Sequence, residues 1–298
     1  MRRAIRWVAV TLGILVSIVA VAAVVLYIRG GLRLFRTYDI RVASVAIPTD
    51  ERAIARGGHL AQAVTLCAAC HGDDLSGKVL FDEPRIATIY ASNLTSGRGG
   101  VGNTYRDADY VRAIRHGVNA DGRGLMIMHS DAYHRLSQED LVAIIAYIKS
   151  VPPVDREVPA TRPAALGRIL VGLGLFDSEQ VPLIPAELID HEAPFAEAPP
   201  AGATADYGRY LVSIGLCTMC HGSNLRGGPP IEEGAPPGPN IAAYGAPGVL
   251  EERFVSTIRT GVTPYGRVLD GEAMPWKVYA NMTDEELGAV WRYLMSLQ

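Results

Sequence analysis

Two copies of one short cysteine and histidine segment point most directly to a chemistry. They run from Cys67 to His71 and from Cys217 to His221, and they contain all four cysteines of the 298 residues. In a C-x-x-C-H segment the two thiols are spaced to add to the two vinyl groups of one haem, and the following histidine reaches the iron. The sequence therefore predicts two covalently bound haem c groups, with the cofactor-binding residues Cys67, Cys70, His71, Cys217, Cys220 and His221.

Three other uses of paired cysteines fit these segments less well. Zinc ribbons hold two C-x-x-C pairs roughly 15–20 residues apart, whereas residues 71 to 216 separate the pairs in this chain. A redox-active dithiol, or a disulfide within each segment, leaves both histidines without a role. The repeated histidine favours haem over all three alternatives.

Two methionines in equivalent positions are the predicted sixth ligands of the irons. Met128 lies nine residues before Ser137, and Met274 lies nine residues before Thr283. Each Ser or Thr begins a run with an N-terminal capping signal. A thioether opposite the histidine gives a His/Met pair, which raises the reduction potential of a haem. We expect Met128 to bind the first iron and Met274 the second, with Met126 as the alternative ligand in the first site.

The elements that hold these residues also repeat. A helix is predicted before each cysteine pair, and a second one ends at Gly117 in the first copy and at Gly261 in the second, where glycine favours a C-cap. A third helix follows each capping signal. Each copy is therefore expected to be all-α, with about three helices joined by long loops. The remaining histidines are expected to be surface or hydrogen-bonded residues rather than iron ligands: His59, His116, His134 and His191.

The N-terminus predicts a membrane anchor. From Trp7 to Ile28 there are 22 residues without a formal charge, and about 20 helical residues span the hydrocarbon core of a bilayer. A cleaved signal peptide is the alternative, because arginines precede the run and residues 20–22 resemble a cleavage site. The arginines on the two sides are balanced, so they do not set the orientation. Haem c is attached outside the bacterial cytoplasmic membrane, which predicts a single-pass protein with its haem domains on the periplasmic face.

Four segments follow along the chain: an anchor (1–36), a first haem domain or unit one (37–152), a proline-rich connector (153–204) and a second haem domain or unit two (205–298). The proline density of the connector disfavours regular structure. Its apolar run 164–176 is expected to form a short helix packed between the two haem domains, or alternatively at the membrane surface. With 28 basic against 31 acidic residues, nothing points to nucleic acid as a partner.

Each unit resembles a class I cytochrome c domain, and the whole chain resembles the cytochrome c subunits of periplasmic alcohol, aldehyde and gluconate dehydrogenases. Those subunits commonly carry three haems, whereas two C-x-x-C-H segments are present in this chain. The segments that carry the likeness are 67–72, 91–95, 111–117, 128 and 136–141 in unit one, and 220–222, 238–241 and 274–276 in unit two.

The resemblance implies a non-catalytic electron-transfer protein or electron-transfer subunit. Its partners would be redox proteins, such as a dehydrogenase, a quinol-oxidising complex, an oxidase or a soluble cytochrome of a respiratory chain. The alternative function is that of a haem enzyme, such as a dihaem peroxidase or a sulfur-compound oxidoreductase. That chemistry needs an open iron position or a cysteine ligand, whereas each unit offers a methionine and no cysteine is spare.

Overall fold

The structure is a computed structural model, and it describes residues 2–42, 44–176, 181–230, 234, 236–246 and 248–298. It contains a long N-terminal helix, two helical units and a connector between them. The all-α prediction is confirmed in its main features. One small antiparallel sheet is added to it.

The N-terminal helix α1 (Arg2–Leu34) is 33 residues long. Within the described residues it is the one helix long and apolar enough to cross a membrane, and the most apolar window of this helix has no buried residue. Its valine, leucine and isoleucine side chains are exposed along most of its length. Such a surface is consistent with a membrane anchor, because exposed aliphatic side chains on this scale are unfavourable in water.

Unit one is built from five helices: α2 (Glu51–His59), α3 (Cys67–His71), α4 (Asp107–His116), α5 (Ser130–Tyr133) and α6 (Gln138–Ser150). The predicted helix ends are confirmed. The Ser137 side chain accepts a hydrogen bond from the backbone N–H of Asp140 and begins α6. Gly117 ends α4 in the left-handed conformation, with φ of 66°. These caps satisfy backbone groups that the helix itself leaves unpaired.

A hairpin in unit one corrects the expectation of a loop between the cysteine pair and α4. Strand β1 (Lys78–Glu83) pairs antiparallel with β2 (Ala87–Ala91), and β2 pairs with β3 (Arg162–Pro163) of the connector. Alternate residues of β2 are buried, as a half-buried strand requires. The third strand comes from a proline-rich segment far along the chain, so local sequence carries little sign of the sheet.

Unit two repeats the helices of unit one as α8 (Ala205–Ile214), α9 (Cys217–His221), α10 (Glu251–Thr260), α11 (Trp276–Tyr279) and α12 (Asp284–Met295). Thr283 and Glu286 form a complete capping box at the start of α12. Gly261 ends α10 with φ of 68°. In both units the first helix crosses the last closely. A Cβ on Gly57 would lie 1.8 Å from the carbonyl oxygen of Ala143, and one on Gly208 would lie 2.0 Å from that of Ala289.

The two units meet through equivalent elements, so their interface has an approximate two-fold character. Arg56 and His59 of α2 contact Glu286 at the start of α12, at 3.5 and 2.7 Å. In the reverse direction the Tyr210 hydroxyl of α8 donates to Asp140 near the start of α6, at 2.7 Å. The apolar side chains of both units form one continuous core cluster. The two units therefore pack against each other and share one hydrophobic core.

The connector helix α7 (Ala165–Gly172) confirms the predicted short helix, but its predicted packing between the haem domains is wrong. It lies against the C-terminal half of α1 instead. A Cβ on Gly30 would lie 1.9 Å from the carbonyl oxygen of Arg168, and one on Gly172 would lie 2.2 Å from that of Leu26. Glycine at both positions lets the two helix backbones approach closely. The space between the units is filled by their own helices, which excludes α7 from it.

Candidate haem sites

Both cysteine segments form the same short helix with the same unusual entry. Leu66 before α3 and Leu216 before α9 adopt the left-handed conformation, with φ of 56° and 60°. A non-glycine residue there carries a cost of order 1 kcal/mol. Burial of both leucine side chains holds it in place. This break turns each cysteine pair out of the axis of the preceding helix. The glycine directly after each histidine has a positive φ, of 84° at Gly72 and 79° at Gly222.

Each histidine is held by one ring nitrogen and keeps the other free. Nδ1 of His71 lies 2.8 Å from the carbonyl oxygen of Ser92, and Nδ1 of His221 lies 2.8 Å from that of Pro239. Because a carbonyl only accepts, Nδ1 carries the proton and Nε2 presents a lone pair. Burial lowers the pKa of both histidines, and these hydrogen bonds partly oppose that effect. A neutral imidazole oriented in this way is the form that ligates a metal.

The first cysteine of each pair is a protonated thiol near neutral pH. Burial raises the pKa of Cys67 to about 11 and that of Cys217 to about 12. This environment does not stabilise the thiolates that a zinc site needs. Throughout the described ranges, no group of three or more histidine, cysteine or acidic side chains is arranged to hold a metal ion. The donor set therefore fits addition to a haem better than a thiolate metal centre.

A cavity in unit one brings the predicted site residues together. The cavity is open to solvent on one side and is lined mostly by apolar groups, as cofactor pockets usually are. Side chains of Cys67, Cys70, His71 and Met128 line it, together with apolar and aromatic residues from the hairpin, α4 and α6. The low aromatic content of the chain, 7%, is consistent with a core in which a planar cofactor takes up part of the apolar volume.

The backbone supports the pairing of Met128 with Met274. The N–H of Ser130 bonds to the carbonyl of Met128 at 2.7 Å, and the N–H of Trp276 bonds to that of Met274 at 2.6 Å. The residues between them share one conformation, with φ and ψ of −71° and 48° in unit one and −74° and 51° in unit two. Met126 also lines the cavity, but it packs against a separate cluster formed by α1 and the connector.

A tyrosine pair with a positioning role was missed by the sequence analysis. The Tyr133 hydroxyl donates to the carbonyl of Thr65, and the Tyr279 hydroxyl donates to that of Gly215 at 2.6 Å. These carbonyls lie two residues before each cysteine pair, so both tyrosines fix the entry to the haem helix from the methionine side. Their equal spacing after Met128 and Met274 was the available signal.

Unit two contains a further group that suits a haem. The indole N–H of Trp276 is buried without a hydrogen-bond partner, a situation that native structures normally avoid. An anionic acceptor, such as a haem propionate, would satisfy it. Trp276 lies two residues after Met274 and against Gly261 at the end of α10. The residues of this unit therefore fit a haem as well.

The remaining histidines do not share in these sites. His59 is bound to Glu286, as described above. His116 lies 3.1 Å from His191, joining Nδ1 to Nδ1, and burial lowers the pKa of His116 to about 3. His134 stacks edge-on against His116, and its Nδ1 is buried without a partner. His116, His134 and His191 form a cluster between α4 and the connector. His129, by contrast, lines the cavity of unit one.

Comparison with known proteins agrees with the repeated architecture. The family described as Cytochrome c matches residues 54–152 and 205–298. The fructose dehydrogenase cytochrome subunit of Gluconobacter japonicus is 29% identical over 82% of this chain and 52% of that relative. The cytochrome c subunit of alcohol dehydrogenase (quinone) from Gluconobacter oxydans is 28% identical over 86% and 57%. The gluconate 2-dehydrogenase cytochrome c subunit of Pantoea cypripedii is 33% identical over 60% and 41%.

The chain spans about half the length of the curated relatives it matches. The match nevertheless covers both helical units. It thereby bears out the predicted resemblance to the cytochrome c subunits of dehydrogenases.

Proposed function

We propose that this chain, which belongs to the cytochrome c family, is a membrane-tethered dihaem protein that passes single electrons from a donor to an acceptor. The observation that carries the proposal is the repeated site. In each unit a C-x-x-C-H helix presents a histidine whose Nδ1 is fixed by a carbonyl, and an equivalent loop supplies a methionine. The protein acts as an electron-transfer protein or subunit and not as a catalyst.

In this proposal each unit binds one haem c. Thioether bonds would hold each porphyrin, from Cys67 and Cys70 in unit one and from Cys217 and Cys220 in unit two. His71 with Met128, and His221 with Met274, ligate the two irons. The domain limits are those predicted from the sequence, with haem domains at 37–152 and 205–298 joined by the connector at 153–204. When bound, each haem supplies a one-electron redox couple.

The chain's own residues keep this ligation constant. Ser92 and Pro239 carbonyls hold the tautomer and the ring plane of the two histidines. Tyr133 and Tyr279 tie the entry of each cysteine helix to the loop that carries the methionine. Rigid ligands on rigid elements change little with oxidation state, which suits rapid electron transfer. The apolar lining of the cavity excludes water and favours the lower charge of the reduced form.

The interface between the units supplies a short route between the haems. A Cβ on Gly215 would lie 3.4 Å from the carbonyl oxygen of Val64. The segments that lead into the two cysteine pairs therefore touch each other, and Tyr133 and Tyr279 each donate a hydrogen bond to a carbonyl in one of these segments. In this proposal an electron passes between the two haems through this interface.

The relatives suggest the place of this chain in a larger process. They are named as cytochrome subunits of dehydrogenases, so a dehydrogenase is the proposed donor. The proposed acceptor is another redox protein of the respiratory chain. It would be a quinol-oxidising complex, an oxidase or a soluble cytochrome. Helix α1 would cross the bacterial cytoplasmic membrane once, with both haem domains on the periplasmic face.

A haem count and a spectrum test this function. A pyridine haemochrome assay on the purified chain should return two haems per polypeptide, and both irons should be low-spin and unchanged by carbon monoxide. Fewer than two haems would refute the proposal. A high-spin iron that binds carbon monoxide would favour the alternative of a haem enzyme with an open coordination position.

A matched pair of variants tests the ligand in unit one. Met128→Leu should lower the potential of one haem and open its iron to carbon monoxide, because the thioether is lost while the apolar volume is nearly kept. Met126→Leu should leave both potentials in place. If the effects were exchanged, Met126 would be the ligand. If neither variant changed a potential, or if Met128→Leu changed the potentials of both haems, the assignment of Met128 to one site would be wrong.

A further inference from the structure

The connector helix α7 is apolar on more than the side that packs against the protein. Its buried side contains Gly167, Val171 and Gly172, which face α1 and the hairpin. Another side carries an aliphatic row at helical spacing, formed by Leu166, Ile169, Leu170 and Leu173. The two ends of this row are 45% and 53% exposed. A helix that is apolar almost all round requires an apolar surrounding on both sides.

The position of α7 along α1 shows where the aliphatic row lies relative to the charge-free stretch of α1. Gly172 lies beside Leu26, and Arg168 beside Gly30, so α7 runs antiparallel to α1 with its C-terminal end toward the middle of the apolar run. Leu26 is two residues inside the charge-free stretch, or about 3 Å at the helical rise per residue. The residues that follow, Leu175 at 65% and Phe176 at 36% exposure, continue from that end.

The surroundings of α7 complete a pattern suited to a membrane interface. Exposed leucines of α7 lie on a helix packed directly against α1, whose own exposed apolar side chains include Ile28 and Leu32. Exposed arginines lie at the outer end of both helices, namely Arg29 and Arg36 near the end of α1 and Arg162 before α7. Aliphatic side chains toward the acyl chains and cations at the level of anionic headgroups form the arrangement of an interfacial helix.

We propose that α7 and the residues up to Phe176 form a second membrane contact, which enters the outer leaflet beside α1. The inference rests on the proposed crossing of the membrane by α1. The bilayer is the occupant because the exposed leucines belong to a helix that packs on α1 at the level where the charge-free stretch of α1 ends. Their neighbouring arginines match its anionic headgroups.

This contact would orient unit one relative to the membrane. The tip of the hairpin packs on α7, since a Cβ on Gly167 would lie 2.1 Å from the carbonyl oxygen of Ile86. Arg33 at the end of α1 binds Glu187 of the connector through bonds of 2.6 to 3.0 Å. A single spanning helix permits rotation of what it carries. A second insertion point would restrict that rotation and set one face of unit one toward the lipid.

Spin labels at three positions test the contact in the full haem-loaded chain. The variants Leu173→Cys on α7, Leu188→Cys on the connector and Val19→Cys within α1 are labelled with a nitroxide. Leu188 is a matched control because it is an exposed leucine, at 62%, outside α7. The labelled proteins are kept oxidised and placed in vesicles of phosphatidylethanolamine and phosphatidylglycerol. Collision rates with oxygen, which prefers lipid, are compared with those of a water-soluble nickel chelate.

The expected result is an oxygen-to-nickel ratio several-fold higher at positions 173 and 19 than at position 188. A high ratio at position 19 together with equal ratios at 173 and 188 would overturn the second contact and leave the anchor intact. A label at 173 that is shielded from both reagents would show a protein partner in place of lipid, which also overturns it. A low ratio at position 19 would overturn the anchor, and the contact with it.

Discussion

One buried carboxylate takes part in the contact between the two units, and its neutralisation should lower the stability of the whole molecule. Glu286 accepts hydrogen bonds from His59 of the other unit at 2.7 Å and from the backbone N–H of Thr283 at 2.8 Å. Arg56 lies 3.5 Å away. Burial alone raises the pKa of Glu286, but the bonds from His59 and Thr283 and the charge of Arg56 bring this pKa below its usual value.

Glu286→Gln keeps an oxygen for the capping bond and removes the charge. The loss at neutral pH should be about 2 kcal/mol in the free energy of unfolding, the contribution of a hydrogen bond to a buried ionised group. Because the pKa of the carboxyl is lower in the folded state, its contribution is complete above the unfolded value of about 4.3. It disappears as the pH falls through the folded pKa. The difference between variant and parent should therefore shrink in acid.

Urea unfolding followed by circular dichroism, at neutral pH and at successively lower pH, measures this difference. Glu285→Gln is the control, since Glu285 is a neighbouring exposed acid in the first turn of α12. The double variant with His59→Gln should lose less than the sum of the two single losses, because both remove the same bond. An equal loss in Glu285→Gln, or a loss independent of pH, would refute this account of the interface.

Two further variants test the elements around the sites. Gly30→Ala should displace α7 from α1 and increase protease cleavage of the connector, whereas Gly31→Ala should not, because a Cβ at 31 meets nothing within 4 Å. Unchanged cleavage in both would show that α7 does not depend on the close approach. Tyr279→Phe should cost about 1 kcal/mol by removing the hydroxyl's hydrogen bond to the carbonyl of Gly215, as measured by urea unfolding. A neutral effect would mean that water or a neighbour replaces the hydroxyl.

The parts of the site that repeat were predictable from the sequence. The caps at Ser137, Thr283, Gly117 and Gly261 are local signals, because each satisfies backbone groups within its own turn. The structure confirms them. The same alignment paired Met128 with Met274, and the shared backbone geometry supports that pairing. Equal spacing in two copies is strong information about equal local structure.

The parts that depend on distant contacts were not predictable in the same way. The hairpin acquires its third strand from the connector, and α7 finds its partner in a helix more than a hundred residues earlier. An apolar run such as 164–176 indicates that a surface will be covered, but the pattern does not say by what. The role of Tyr207 and Tyr210 of α8 was not predictable either, since both side chains are buried against the other unit.

The shared interior of the two units also determines what the connector does not do. The contact of Gly215 with Val64 and the bonds of Arg56, His59 and Tyr210 are made without any residue of 153–204. The relative position of the two cysteine segments is therefore set by side-chain contacts between the units. A cut within the connector should therefore leave the two units bound to each other.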